Sequence, residues 1–202
     1  MRIWVILRSA GIGAYVMLFL SVAWGLVATS AALGRRVSKA SAVLIHQFFS
    51  TCGLLLLGIH VGGLLVDPFM PFGPSEILVP GAASYRPAAT AFGVIAMYAT
   101  VIVLVTSWIR QRIGTTWWRR MHLLAVPAFV LSLAHGVGTD STRPWMWWTY
   151  VVTGSAVVFL VVLRGLTAGC RPERAVRHVV TRQVAAGSAA KSASRRRASE
   201  SQ

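Results

Sequence analysis

The chain has 202 residues, of which 55% are hydrophobic and 12% are charged, and its formal net charge is +15. Soluble domains carry about a quarter charged residues, so this composition excludes an ordinary soluble fold. Such a positive charge would suggest nucleic-acid binding in a soluble protein. Here the basic residues lie mainly in short loops and a C-terminal tail, where membrane topology and anionic lipid explain them. We therefore predict an all-α membrane protein with no nucleic-acid partner.

Five apolar segments are each long enough to cross a bilayer, which takes about 20 residues. In chain order they cover about residues 9–32, 41–66, 89–109, 118–138 and 145–166. Between the second and third segments, residues 67–87 contain five prolines, which argue against a continuous helix there. Residues 110–120 are basic and read as a joint between spans. The sequence thus predicts a bundle of about five transmembrane helices.

The basic residues predict the orientation of this bundle. Residues 34–39, 110–120 and 164–202 hold 16 of the 20 lysines and arginines. The positive-inside rule places these segments in the cytoplasm, with the N-terminus outside and the C-terminus cytoplasmic. We expect the protein to be a multi-pass protein of the bacterial cell (inner) membrane.

Two further expectations concern the ends of the chain. The first apolar segment could be a signal peptide, because ATSAA at residues 28–32 loosely matches a cleavage site. Its apolar region exceeds the usual 7–15 or so residues of a signal peptide, which favours a retained helix.

Residues 1–167 are predicted to form the membrane domain. Residues 168–202 are predicted to be a basic, disordered cytoplasmic tail that contacts anionic lipid and is too short for a flavin- or nicotinamide-binding domain.

Four histidines lie inside the apolar segments, where an unpaired imidazole is costly. His46 and His60 are 14 residues apart, which corresponds to about 21 Å of helix rise and to one helix face. His122 and His135 are 13 residues apart, a spacing that rotates an ideal helix by roughly 220°. Pro127 lies between them, and we expect its distortion of the helix to bring both rings to the bundle interior.

The depth of these histidines predicts two pairs. His46 and His122 lie about one turn from the cytoplasmic boundary, and His60 and His135 lie similarly close to the outer one. Opposed imidazoles at one level are typical of six-coordinate haem iron. Three alternatives remain: histidines that only bridge helices, a proton relay, and a zinc or copper site. A relay normally needs intramembrane carboxylates, and zinc or copper would gather three or four ligands at one level.

With these histidines as its main evidence, the sequence resembles the ferric reductase-like transmembrane domain, the haem-b module of ferric reductases and NADPH oxidases. The similarity rests on H-x13-H in one helix, H-x12-H two helices later and WWRRMH at 117–122, with support from HGVGTD at 135–140 and WVILRSAG at 4–11. It covers about residues 3–166. The chain departs from the larger members in having five predicted spans rather than six and no cytoplasmic flavin and nicotinamide domain.

The resemblance implies two b haems, an inner one on His46 and His122 and an outer one on His60 and His135. It indicates a haem subunit of an oxidoreductase that relays electrons between separate partners, as in short bacterial relatives, including those that feed periplasmic methionine sulfoxide repair. We expect a cytoplasmic flavoprotein or quinol as donor and an acceptor outside the membrane. The alternative is a non-redox transporter or structural subunit whose histidines bridge helices.

Other residues have predicted roles around the haems. The arginines could pair with haem propionates, and most could instead serve only orientation; the candidates are Arg35, Arg36, Arg119 and Arg120 inside and Arg8 and Arg86 outside. Five tryptophans fit an interfacial aromatic belt better than an electron-hopping role; they are Trp117, Trp118, Trp145, Trp147 and Trp148. Four glycines could make room for a macrocycle or serve helix packing; they are Gly53, Gly58, Gly62 and Gly63.

Overall fold

The computed structural model describes residues 2–29, 37–68, 72–139 and 144–169. These residues contain seven helices and no strand. The helices are α1 (Arg2–Thr29), α2 (Lys39–Leu64), α3 (Pro74–Leu78), α4 (Pro87–Trp108), α5 (Arg110–His122), α6 (Ala125–Thr139) and α7 (Pro144–Gly169). The loop residues Arg35 and Arg36 lie outside the described ranges, as does the predicted tail apart from Ala168 and Gly169.

Four helices, α1, α2, α4 and α7, are long and apolar enough to cross a membrane. The helices α5 and α6 qualify together as a fifth candidate, bent by 41° where they meet. The predicted class, an all-α membrane protein with about five spans, is confirmed. The sidedness of the termini stays a prediction.

Residues 1–161 form one compact unit. Within it α1 packs along α2, and α4 packs along α6. A further contact joins α1 to α6, so the two pairs of helices meet through those elements. The second unit begins at Val162, and its described part, residues 162–169, is the C-terminal end of α7.

An aromatic cluster joins α1, α6 and α7. Tyr15 stacks on Phe129 with ring centroids 5.7 Å apart and meets Tyr150 edge-on at 5.4 Å. Its hydroxyl is hydrogen-bonded to Thr153, so the one polar atom of the ring has a partner inside the bundle. Phe129 is 1% exposed and Met146 is 2% exposed, and they are the largest fully buried side chains among the described residues.

The basic segment predicted as a joint is largely helical instead. Residues 110–122 form α5, with one irregular residue, Gly114, at φ 78° and ψ 162°. Only glycine adopts that positive φ readily, so the chain turns there and then resumes a helix that leads into α6. The hydropathy pattern missed this helix because the arginines and glutamine of the segment are too polar for a membrane span. These residues are nevertheless compatible with a helix.

The loop between α2 and α4 contains only the short helix α3 in its described part, as its prolines predict. Glu76 holds this loop together. One carboxylate oxygen accepts a hydrogen bond from the Gly73 backbone N–H at 2.9 Å. The other accepts from the N–H and hydroxyl of Ser84 at 2.9 and 3.0 Å. These three bonds to the charged form lower the pKa of Glu76 below its ordinary value of 4.5.

Truncation of Phe129 to alanine should lower the free energy of unfolding by about 3–5 kcal/mol, because it leaves a cavity beneath Tyr15. Thermal unfolding in detergent measures this loss. Phe159→Ala is the matched control, since Phe159 is 65% exposed and lipid or detergent can replace its contacts. Equal losses in the two variants would contradict the assignment of the core to the Tyr15–Phe129 cluster.

The loop around Glu76 should lose protection in acid. Because the folded pKa of Glu76 lies below its ordinary value, its stabilising contribution is present above that value and disappears as the pH falls through the lowered folded pKa. The protection factors of the Gly73 and Ser84 amides, corrected for the intrinsic pH dependence of amide exchange, should therefore fall at low pH. Glu76→Gln should show the faster exchange at neutral pH, and an unchanged rate in that variant would refute the carboxylate's role.

Candidate functional site

The four histidines come together from two sides of the bundle. His46 and His60 lie on α2, His122 is the last residue of α5, and His135 lies on α6. The rings of His46 and His122 have centroids 5.9 Å apart with an interplanar angle of 63°. His60 and His135 are close enough to interact electrostatically. All four are partly buried.

His60 and His135, the pair predicted to lie near the outer surface, are held in the same way. The Nδ1 atom of His60 lies 3.0 Å from the Leu7 carbonyl oxygen of α1. The Nδ1 atom of His135 lies 2.8 Å from the Ala89 carbonyl oxygen of α4. A carbonyl oxygen can only accept, so each Nδ1 must carry the proton and donate it. Each outer imidazole is thereby tied to the helix beside its own.

A glycine stands four residues after each of these carbonyls. A Cβ at Gly11 would lie 2.8 Å from Nδ1 of His60, and one at Gly93 would lie 2.6 Å from Nδ1 of His135. Both distances are shorter than a carbon atom tolerates. The ring therefore occupies the space of the missing side chain, and a glycine is required next to each outer imidazole.

His46 has a more polar environment. Its Nδ1 lies 3.1 Å from the Ser21 carbonyl oxygen and 3.3 Å from the Ser21 hydroxyl. Ser50 donates its hydroxyl proton to the His46 carbonyl at 2.8 Å, so it accepts from Ser21 at 2.8 Å. The Ser21 proton is thus already used, and both Ser21 oxygens accept from the imidazole. A Cβ at Gly25, four residues after Ser21, would lie at ordinary contact distance, 3.5 Å from the ring.

His122 is held by side chains. Its Nδ1 lies 3.4 Å from the Ser107 hydroxyl oxygen on α4. Ser107 donates its only proton to the Val103 carbonyl at 2.7 Å and accepts from the Trp118 indole N–H at 3.2 Å. The hydroxyl can therefore only accept from His122. Trp118 also packs against the imidazole, with ring centroids 5.1 Å apart.

These hydrogen bonds give all four histidines the same tautomer, with the proton on Nδ1. Within the described residues no hydrogen bond reaches any of the four Nε2 atoms. Each Nε2 consequently keeps a free lone pair, which is the form in which histidine binds a metal ion. Two such nitrogens are available at each of two levels.

The 13-residue spacing of His122 and His135 is accommodated by a break in the helix. Residues 123–124 are not helical, and the Leu123 carbonyl is reached by the Val126 N–H at 3.2 Å in a tighter, three-residue turn. Pro127 explains the break, because it has no N–H for the carbonyl four residues earlier and its ring crowds that carbonyl. The disruption thus lies one turn before the proline, directly after His122.

Three of the arginines predicted to pair with haem propionates contact other groups of the protein. Arg8 lies over the Trp4 ring at 5.3 Å, and Arg120 lies over Trp117 at 5.4 Å. Arg86, at φ 43°, donates from Nη1 to the Gly138 carbonyl at 2.5 Å, which ties the start of α4 to the end of α6. Arg119 is exposed at the end of α5. Their role toward a cofactor stays a prediction.

Comparison with known proteins identifies the family. The model of the family described as ferric reductase like transmembrane component matches residues 10–133, more than half of the chain. The chain belongs to the ferric reductase-like transmembrane family. The match includes three of the four histidines and ends two residues before His135. No curated protein and no solved structure matches the chain.

Members of this family generally bind haem, and the donor set of this chain fits that group. Among the described residues no three His, Cys, Asp or Glu side chains converge on one point, so an all-protein zinc or copper cage is not formed. A haem iron needs only two axial ligands from the protein. Two imidazoles that share one metal ion at roughly 2 Å each have centroids about 6 Å apart, close to the separation of His46 and His122.

Several residues at this site were missed by the sequence patterns. Ser21, Ser50 and Ser107 are ordinary small residues of apolar helices, and backbone carbonyls have no sequence signature. Trp118, assigned to an aromatic belt, instead packs on His122 and hydrogen-bonds Ser107. One signal was available: Gly11 and Gly25 are 14 residues apart, as are His46 and His60.

The glycines of α2 behave differently from one another. A Cβ at Gly53 would lie 3.2 Å from the Met17 Cβ, and one at Gly63 would collide with the Leu7 side chain. Both glycines therefore allow α1 and α2 to pack closely. A Cβ at Gly58 or at Gly62 would meet no atom of another element within 4 Å, so that packing does not require glycine at these two positions.

Substitution by alanine should destabilise the protein at Gly11 and Gly93, where a Cβ would collide with an imidazole, but not at Gly25, where it would make an ordinary contact. Gly93→Ala and Gly11→Ala should lower the free energy of unfolding by about 1–3 kcal/mol, because the imidazole must leave its carbonyl. Gly25→Ala should be neutral or stabilise by up to about 1 kcal/mol, since alanine favours a helix. Thermal unfolding in detergent compares the three. If all three shifted stability alike, the rings would not occupy the places found here.

Proposed function

We propose that the protein is a transmembrane cytochrome b that passes electrons across the membrane through two haems. His46 and His122 would hold the inner haem, and His60 and His135 the outer one. A bound haem supplies a one-electron redox centre, and two axial histidines leave no open iron position for substrate. The protein is accordingly proposed as the membrane haem subunit of an oxidoreductase.

The single observation that carries this proposal is the common tautomer of the four histidines. Each Nδ1–H is engaged by a neighbouring helix or side chain, and each Nε2 keeps a free lone pair at one of two levels. Hydrogen bonding of this kind orients a ligating imidazole and raises its basicity. All four histidines leave the same atom, Nε2, available for a metal ion. This shared orientation supports ligation more strongly than the number of histidines does.

The vertical arrangement supports a route across the bilayer. His46 and His60 are separated by 14 residues of unbroken helix, about 21 Å of rise, which covers most of a hydrocarbon core of about 30 Å. With the basic segments in the cytoplasm, His46 and His122 would hold the haem that accepts electrons from a separate flavoprotein or quinol. His60 and His135 would hold the haem that donates to an acceptor outside the cell membrane of a bacterium.

Charged residues complete this proposal at the two surfaces. Arg119 and Arg120 stand beside His122 in the sequence and are exposed, so they can reach an inner propionate. Arg8 directly follows the Leu7 carbonyl that holds His60, and Arg86 stands three residues before the Ala89 carbonyl that holds His135. The basic segment 168–202 is proposed to contact anionic lipid.

A second candidate is favoured by the same hydrogen bonds. Each histidine links two elements through Nδ1, and a membrane transporter or structural subunit could use histidines only as such bridges. That function needs Nδ1 and has no use for Nε2. The cytochrome therefore requires the Nε2 atom of each histidine, whereas the bridging function does not.

Asparagine separates the two candidates, because its amide nitrogen can donate from the position of Nδ1 while no atom occupies the position of Nε2. Without haem, His60→Asn and His135→Asn should keep the unfolding temperature of the haem-free parent chain, and with haem supplied they should lose one of two haems. Absorption of the dithionite-reduced protein and extracted haem per chain measure this loss. A colourless parent chain, from cells supplied with haem, would refute the cytochrome and leave the bridging function.

The pairing is tested by alanine substitutions at the four histidines. His46→Ala and His122→Ala should remove the same haem, recognised by its midpoint potential in a redox titration. His60→Ala and His135→Ala should remove the other haem and leave the first potential unchanged. Loss of different haems in His46→Ala and His122→Ala would show that the histidines are paired in another way.

A further inference from the structure

His122 differs from the other three histidines in the strength of its hydrogen bond. Its Nδ1 lies 3.4 Å from a hydroxyl oxygen, whereas the others lie 2.8–3.1 Å from a backbone carbonyl. Hydrogen bonds of N–H to oxygen have their usual range at 2.7–3.2 Å and weaken beyond it. His122 is also the one without a glycine four residues after its acceptor, since Gln111 stands at that position.

The acceptor of His122 is shared. Ser107 uses its proton on the Val103 carbonyl, and its oxygen accepts from both the Trp118 indole and the His122 imidazole. Two donors at one oxygen compete for its electron density, and the indole is the nearer of the two, at 3.2 Å. Trp118 therefore weakens the bond of Ser107 to His122 while its ring packs on the same imidazole.

We propose that Ser107 and Trp118 are positioning residues that set the redox potential of the inner haem through His122. This inference rests on the proposed function. A strong acceptor at Nδ1 makes imidazole a better electron donor to iron and favours the oxidised metal, which lowers the potential. The weak, shared acceptor at His122 makes the inner potential higher than a backbone carbonyl in its place would.

The two residues should act in opposite directions. Ser107→Ala removes the acceptor, so the inner potential should rise. Trp118→Phe keeps an aromatic ring against the imidazole and removes the competing N–H. The Ser107 oxygen then serves His122 alone, and the inner potential should fall. A purely structural role of either residue predicts loss of haem or changes of the same sign, because both substitutions then only loosen the site.

A spectroscopic redox titration of the purified, haem-loaded chain tests the inference. The inner haem is identified as the one missing from His46→Ala. Ser107→Thr keeps the hydroxyl and should leave the inner potential unchanged. Thr106→Val is the matched control, since the Thr106 hydroxyl bonds only carbonyls of its own helix, those of Ile102 and Val103. The outer potential should stay constant in all four variants.

Shifts of opposite sign in Ser107→Ala and Trp118→Phe, confined to the inner haem, support the inference. Shifts of the same sign, or none, overturn it even when both haems are bound. If Ser107→Ala fails to assemble, Trp118→Phe decides alone, because an unchanged or higher inner potential contradicts competition for the Ser107 oxygen. A parent chain without haem refutes the proposed function, a result distinct from two haems with unshifted potentials.

Discussion

The hydrogen bond from an imidazole Nδ1–H to a neighbouring helix is the interaction on which the arrangement of the site depends. An imidazole in an apolar bundle has two polar nitrogens, and leaving either without a partner is costly. Here one nitrogen bonds to protein at each of the four positions. That bond determines the rotation of the ring, the tautomer and the direction of the second nitrogen at once. The haem ligation proposed for this chain would need this orientation as well as the histidines themselves.

The helices α1 and α4 support the three helices that carry histidines, α2, α5 and α6. Along α1 the carbonyls of Leu7 and Ser21 are 14 residues apart, the same separation as His46 and His60 on α2. Equal rise on two paired helices lets both rings reach a carbonyl without bending either helix. On the other side α4 meets His135 through a carbonyl and His122 through a hydroxyl. On α1, therefore, both histidine partners are backbone carbonyls, whereas on α4 one of the two is a side-chain hydroxyl.

Sequence patterns could predict the class of the protein, because hydropathy depends only on residue type. The depth of its histidines, which is derived from helix rise, stays a prediction. Sequence patterns could not predict that α5 is helical, since its arginines and tryptophans fit a loop as well as an interfacial helix. They placed a distortion between His122 and His135 but not its position at residues 123–124, which follows from the carbonyl that Pro127 crowds. Partners such as the Leu7 and Ala89 carbonyls require coordinates, because every residue has a carbonyl.

The break after His122 has a mechanical consequence. His46 and His60 belong to one continuous rod, so any tilt or sliding of α2 displaces both rings together. His122 and His135 belong to two rods joined by two residues, with a bend of 41° between them. A force on the basic helix α5 can therefore move the His122 ring while the part of the bundle around His60 and His135 stays in place. The site at His46 and His122 can therefore be moved through α5, and α5 extends to the surface of the molecule.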